Sequence, residues 1–557
     1  MLVIAMSTQS QNVLKAVSLH DVKQLRKADV SEVEYIGSDI EYYEFFSRFL
    51  LPNRPCVFGP HVTRGWRGIQ EWVKEDGRPD FDFLTQTFGH SVVPVADCKR
   101  VVYSAQPKSD MQLSQYLQYW QRLSGDGGRA DSSCLYLKDW HFNKFFPDYK
   151  AYQTPIFFTS DWMNEYWDKK PGPTSDDYRF VYMGPKGSWT PFHADVFRSY
   201  SWSANVCGRK RWLLYPPGQE ANLQDTLGNL VYDVTSPELS DQNKYPYYNK
   251  TCKPFEIIQG PGEIIFVPSG WHHQVFNIED TISINHNWLN GCNVDITWAF
   301  LQQELALVKK SISDCRDMEN WDVQCQIIMK ANTGIDYPEF LQLLWAVASP
   351  RLHKLQLYKD SLGKCCRNSG LDRSAETDDF THSEVKLCDQ RTVVKPNNSG
   401  STMQSALAEE IATPSNDKSA KATVSVKGYP LSSTNAPGLT MLLSNTESTA
   451  PCLTTATYLI STGFVNANQP SPSYTKDDDD EKQRCTMGST QNAVHSLSPS
   501  DAGELLAWHL IFDLCRIREV LTLLLEDEDF CQIEQARLCK DPQEFIKEIF
   551  NATKDIV

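Results

Sequence analysis

A mainly β domain with flanking helices is the fold class this sequence predicts, and three observations predict it. Between Arg179 and Trp288 short apolar or alternating stretches recur, separated by Gly and Pro turns, which is the pattern of a barrel or sandwich. After Asn293 the apolar period lengthens to that of a helix. From 363 to 500 the chain turns rich in Ser, Thr, Asn, Pro and Lys, has no tryptophan and carries the acidic run 477–481. That composition buries too little apolar area to offset ordering entropy. The expected architecture is therefore a β core followed by a helical C-terminal subdomain that a long disordered insertion splits.

Composition narrows the function classes. The 557 residues are 41% hydrophobic and 11% aromatic, enough to bury a sizeable core, and the net charge of −16 gives nucleic-acid binding no electrostatic support. An acidic surface suits a basic protein partner, and solubility alone explains it equally well. The 16 cysteines include no C-x-x-C pair and no zinc-like spacing, which fits reduced thiols in the cytosol or nucleus. No run approaches the about 18 apolar residues of a membrane span, so a soluble chain, cytoplasmic or nuclear, is expected.

In order, residues 1–33 are polar and read as a flexible N-terminal arm. The domain proper is expected over 34–290. Aromatics at helical spacing from Glu41 to Leu50 predict a helix with one buried face, and Pro52 to Phe58 a turn into a strand. Short amphipathic helices are expected at 66–74 and 111–123, and a strand at 134–139. Strands follow at 179–183, around His193, at 211–215, 255–258, 264–267, 274–277 and 281–288, with a loop over 219–255. The helical region spans 291–362, with helices at 296–308 (Asn293 or Asp295 as cap), 320–329 and 338–347. After the insertion (363–500) it resumes over 501–557, where the apolar stretch 505–525 is expected to pack near Trp345.

The chemistry centres on Thr190 to Val196, TPFHADV. Side chains two apart on a strand share a face, so His193 and Asp195 converge. An imidazole and a carboxylate so placed are two-thirds of the 2-His-1-carboxylate triad that binds Fe(II) and leaves positions open. His272 or His273 in Gly262 to Val275 offers the third ligand; as strand neighbours they point to opposite faces, and periodicity does not choose between them. Lys210 sits in Gly208 to Trp212, GRKRW. As a surface cluster those cations would be a phosphate or nuclear-localisation patch, but the apolar strand that follows argues for a core position.

These motifs resemble the Jumonji C (JmjC) domain, over about residues 41–344. The resemblance implies a double-stranded β-helix, a jelly-roll of the cupin type, and a 2-oxoglutarate- and Fe(II)-dependent oxygenase that uses O2. It selects His273 as third ligand, five residues after Pro268, beside His193 and Asp195. It assigns Lys210 to the distal carboxylate of 2-oxoglutarate, and places Thr190, Tyr136, Asn285 and Asn287 at positions that hydrogen-bond the cosubstrate. Asn285 departs from a threonine seen in some relatives, and Tyr136 is equally readable as an ordinary core tyrosine. The implied reaction converts 2-oxoglutarate to succinate and CO2 while oxidising a substrate C–H bond. Within the family the closer resemblance is to a protein lysyl hydroxylase, which implies a protein substrate, a lysyl side chain of a translation release factor. Histone or other N-methyl-lysine demethylation uses the same site residues, and a non-catalytic binding scaffold is the reading from another class. Neither membrane association nor direct nucleic-acid binding is expected, and the sequence leaves the oligomeric state open.

Overall fold

The computed structural model describes residues 19–27, 30–125, 133–170, 177–368 and 499–554. Those up to Lys359 and from Pro499 onward belong to one compact unit. Thirteen strands among them form two sheets. The larger runs β1 (Glu34–Ile36), β2 (Cys56–Phe58), β11 (Ile264–Val267), β8 (Tyr200–Cys207), β13 (Thr281–Trp288), β6 (Arg179–Gly184), β5 (Leu135–Trp140), β3 (Val92–Asp97), β4 (Lys108–Gln112). The smaller runs β10 (Phe255–Gln259), β9 (Lys210–Tyr215), β12 (His272–Asn277), β7 (Trp189–His193). Neighbours pair antiparallel except β1 with β2.

Alternation within the strands gives the molecule its layers. On β13, Ile282, Ile284 and Trp288 join the large apolar cluster shared with the flanking helices, while Ser283, Asn285 and Asn287 occupy the intervening positions. On β9, Trp212 and Leu214 pack with Val57, Ile265, Val267, Trp271 and Val275 between the sheets, whereas Leu213 and Tyr215 join a separate cluster with Phe192 and Leu223. Apolar side chains thus fill part of the space between the sheets and leave the rest to polar ones. Gly208 makes the sharp entry to β9: its φ is 72°, and a Cβ there would stand 2.1 Å from the Asp280 carbonyl oxygen.

The C-terminal helices dock on this core through buried charge. The Pro499–Glu526 helix carries Arg516, fully buried, which donates to Asp295 at 3.0 Å, to the Gly291 carbonyl at 2.7 Å and to Glu519 at 2.7 Å. Asp295 also receives both terminal nitrogens of Arg26, at 2.7 and 2.9 Å. Burial opposes the Asp295 charge, yet these guanidiniums hold its carboxyl below the usual range. In the helix Tyr337–Asn368, Arg351 donates to Asp513 at 2.7 Å and to both Glu165 oxygens at 2.7 and 2.9 Å.

Several expectations are corrected. The latter part of the expected arm is no loose tail: Leu19–Leu25 is a helix, Val22 is buried, and Arg26 is tied to Asp295; residues 1–18 lie outside the described ones. The helix after β13 begins at Val294 with Asn293 at the N-cap position, as expected, but its side chain makes no capping hydrogen bond because Oδ1 accepts from the Asn290 amide; Asp295, inside the first turn, is taken by arginines. Trp345 meets Phe545 of the last helix, Pro542–Thr553, at 5.0 Å between ring centres. The Pro499–Glu526 helix does pack on the helix that carries Trp345, through Asp513 and Arg351 at 2.7 Å, and it also sets Trp508 and Phe512 against Phe46 of the N-terminal helical segment at 5.4 and 5.3 Å. The helix from Tyr337 runs on to Asn368, past the expected start of the insertion at 363; residues 369–498 lie outside the described ones. Strands β1, β3 and β4 were not expected, and Pro94 inside β3 is the kind of residue that argues against a strand.

Candidate metal and cosubstrate site

β7 and β12 are neighbours, and His193 lies directly opposite His273. Their ring centres stand 4.3 Å apart. Asp195 lies just beyond the end of β7, in extended backbone (φ −62°, ψ 155°), rather than within the strand. One ligand-type atom from each of His193, Asp195 and His273 lies within 4.8 Å of the others. His272 faces elsewhere: its ring tilts on Phe192 at 5.5 Å, with Arg198 Nη1 at 3.4 Å and a Glu220 oxygen at 3.8 Å.

The donor set suits a divalent metal. Nδ1 of His193 sits 2.8 Å from the Pro191 carbonyl oxygen and Nδ1 of His273 sits 3.0 Å from that of Trp271. A carbonyl only accepts, so each Nδ1 carries the proton and each Nε2 keeps its lone pair for a metal. Burial, and then the neighbouring His273, hold His193 well below the usual imidazole range, so it stays neutral. Ser201 Oγ donates to Asp195 Oδ2 at 2.7 Å, orienting the carboxylate.

Local backbone irregularities set this geometry. From Thr190 to His193 three steps of β7 oppose two of β12, Val275 to His273. That bulge, which contains Pro191, returns Thr190 to the face of His193. After Asp195 the chain turns through Phe197 and Arg198, both with φ of 55°. Two side-chain-bearing residues in this region store strain of about 1 kcal/mol or more each. The turn is held from outside: Thr297 Oγ1 donates to the Phe197 carbonyl at 3.0 Å, Ser269 Oγ to that of Arg198, and Trp167 stacks on the Phe197 ring.

Deeper in, Lys210 crosses from the smaller sheet to the larger, its Nζ donating to Ser283 Oγ at 2.7 Å. It is 2% exposed, lies near the Tyr182 and Trp212 rings, and meets no carboxylate of the described residues within ion-pair distance. Burial alone brings its pKa down to about 7. Arg209 and Arg211 turn outward to Glu279 and Glu256, so the basic cluster alternates in and out, as a strand requires. Tyr136 is buried, its ring against Gly184 and 6.0 Å from that of Tyr182, its hydroxyl toward Asn277. Asn285 Nδ2 reaches Ser283 Oγ at 3.2 Å, and Asn287 Nδ2 reaches Ser199 Oγ at 3.2 Å beside the Asp195 turn. Thr190 is buried on β7 opposite Val275.

Sequence reasoning missed Ser283, Ser201 and Tyr182, which hold or border these groups, and it missed Lys138 and Gln106. The alternating small polar residues of β8 and β13 were the available signal for the serines. Lys138 stands two residues after Tyr136, at the same strand period.

The chain matches the family model described as "Cupin-like domain" over residues 43–293. It is 57% identical over 316 residues to the 2-oxoglutarate and iron-dependent oxygenase JMJD4 of Gallus gallus, covering 57% of this chain and 74% of that one. Against the JMJD4 of Homo sapiens it is 53% identical over 312 residues, covering 56% and 74%. Against the protein named arginine-specific demethylase JMJ20 of Arabidopsis thaliana it is 44% identical over 346 residues, covering 59% and 73%. With a jelly-roll of two facing sheets and a 2-His-1-carboxylate cluster at the end of β7, the chain belongs to the cupin-like JmjC family of 2-oxoglutarate- and iron-dependent oxygenases.

Proposed function

We propose that this oxygenase hydroxylates a carbon of a lysyl side chain in a translation termination factor, in the cytosol. The observation that carries the oxygenase part is the convergence of His193, Asp195 and His273, together with a buried lysine, Lys210, that meets no carboxylate among the described residues. In this reading His193 and His273 hold Fe(II) through Nε2 and Asp195 through a carboxylate oxygen. Lys210 takes the distal carboxylate of 2-oxoglutarate as a charge-assisted donor, with Thr190, Tyr136, Asn285 and Asn287 lining the cosubstrate. The bound iron and cosubstrate supply the oxidant for the C–H bond while succinate and CO2 leave. The chain's own task is orientation and exclusion of water. Ser201 fixes the Asp195 carboxylate, the carbonyls of Pro191 and Trp271 fix the imidazoles, and the apolar packing around Trp212 and Val275 keeps solvent out. Support for a cationic substrate side chain comes from the net charge of −16.

The test is to incubate the iron-loaded protein and 2-oxoglutarate with purified release factor and to map added oxygen by mass spectrometry. Oxygen on a lysyl carbon, absent without the enzyme, is expected; an unmodified factor together with succinate formation on another protein would discard the substrate. A second reading, N-methyl demethylation, is favoured by the Arabidopsis thaliana relative named as an arginine-specific demethylase. Formaldehyde release from methylated peptides, with no oxygen gain on the release factor, would replace the first reading by the second.

A further inference from the structure

Two free cysteines face one another across the larger sheet. The pairing of β3 with β5 sets Asp97 opposite Leu135, so Cys98 and Cys134 are the next opposed residues, just beyond the strand ends. The Cys98 amide donates to the Cys134 carbonyl at 2.8 Å, which fixes that register. Opposed residues that share such a bond have Cα atoms about 5.5 Å apart, within the roughly 4.4–6.8 Å that a disulfide spans. Their thiols already hydrogen-bond to each other.

Both sulfurs can be reached. Cys98 is buried and Cys134 half-buried, and both line a surface groove of about 1000 Å³ together with Lys99, Lys186 and Trp189. The two differ in character. The hydrogen bond with Cys134, above all, and the Lys138 ammonium hold the Cys98 thiol below its usual range, against the opposing effect of burial. The same hydrogen bond pushes Cys134 up. Cys98 is thus the sulfur suited to attack and Cys134 the one suited to resolve. The burial of Cys98 admits a small oxidant in preference to a bulky disulfide.

We propose that Cys98 and Cys134 are a peroxide-sensitive dithiol, a modification site apart from the metal centre that closes reversibly to a disulfide. The Cys98 thiolate attacks one oxygen of hydrogen peroxide; the O–O bond breaks, and the leaving hydroxide takes up the proton that Cys98 lost, giving water. The Cys134 sulfur then attacks the sulfur of the Cys98 sulfenic acid; the S–O bond breaks, and the second hydroxide leaves as water with the Cys134 proton. Two thiols lose two electrons in all and one peroxide gains them. The new S–S bond ties the strand that carries Tyr136 and Lys138 to the start of the loop that carries Gln106, to which Lys138 Nζ donates at 2.9 Å. A bond of this kind in a reducing compartment is transient and responds to oxidant.

The test treats the full chain, stripped of iron so that peroxide meets only protein groups, with stoichiometric hydrogen peroxide and maps disulfides by mass spectrometry of tryptic peptides. The expected product is a linked pair of the Cys98 and Cys134 peptides, two hydrogens lighter than the two apart. It should form faster than the exposed Cys252 is oxidised, and dithiothreitol should undo it. C98S and C134S should each abolish the link, and C98A serves if C98S does not fold. In C134S, where a hydroxyl donor remains beside Cys98, dimedone should trap a sulfenic acid on Cys98; in C98S it should find none on Cys134. A wild-type chain that oxidises at Cys252 and yields no linked peptide overturns the proposal. Trapping on Cys134 and not on Cys98 overturns it as well, since the attacking sulfur would then be the wrong one.

Discussion

Where the C-terminal helices meet one another and the helices that flank the barrel, buried guanidiniums face carboxylates: Arg351 has Asp513 and Glu165, and Arg516 and Arg26 share Asp295. Inside the barrel Lys210 has one serine hydroxyl and Lys138 one amide oxygen. The first arrangement is internally complete, since each desolvated charge is offset by another. The second is incomplete in the protein alone and suits an anionic ligand. The contrast separates charges that hold the fold from charges that wait for chemistry, and it does so without reference to any relative.

The two kinds of charge should respond to mutation with opposite signs. Arg351→Met strands Asp513 and Glu165, and is expected to cost about 3–5 kcal/mol in a denaturant titration. Lys210→Met removes a buried cation without stranding a partner carboxylate. Its unfolding midpoint should stay or rise, while 2-oxoglutarate affinity falls by about two to three orders of magnitude. A Lys210→Met chain that unfolds as readily as Arg351→Met would remove the distinction.

Buried imidazoles extend the comparison to pH. Burial is the first cause that lowers His193, His272, His286 and His509, the last to about 3. Their folded pKa values lie below the unfolded value, so the stabilisation is whole above about pH 6.5 and is lost as pH falls from there toward the folded values. The metal-free protein should lose up to about 1.4 kcal/mol per histidine for each unit below that pH, seen as a falling melting temperature. A flat melting temperature from pH 7.5 to 5.5 would mean that these rings are not buried neutral. The smallest effect concerns the link between the two regions. Thr297 of the Val294–Ser311 helix supports the strained turn after Asp195. Thr297→Val should weaken metal binding by about 1 kcal/mol while leaving 2-oxoglutarate dependence otherwise unaltered. Unchanged metal affinity would show that the turn stands without it.

The sequence made the site more legible than its supports. His193 and the inward Lys210 could be read because each depends on strand period, which sequence displays directly, and Asp195 was reached by the same period although it lies just past the end of β7 in extended backbone. The bulge at Pro191 and the turn through Phe197 and Arg198 could not: their positive φ values sit on residues that do not favour them, and contacts from Ser269 and Thr297, far along the chain, hold them. The same holds for the docking charges. Arg26, Asp295 and Arg516 are more than 200 positions apart at the extremes, and no local pattern relates them. Lys138 was hidden for a different reason: a lysine in an apolar strand draws attention only once its lack of a carboxylate is visible.

The central claim is that His273, and not its neighbour His272, completes the metal site with His193 and Asp195. Anaerobic loading with Fe(II), gel filtration and metal analysis of His272→Ala beside His273→Ala tests it most directly. One iron per chain in the wild type and in His272→Ala, with none retained by His273→Ala, is the predicted result. Iron kept by His273→Ala and lost by His272→Ala would contradict the account.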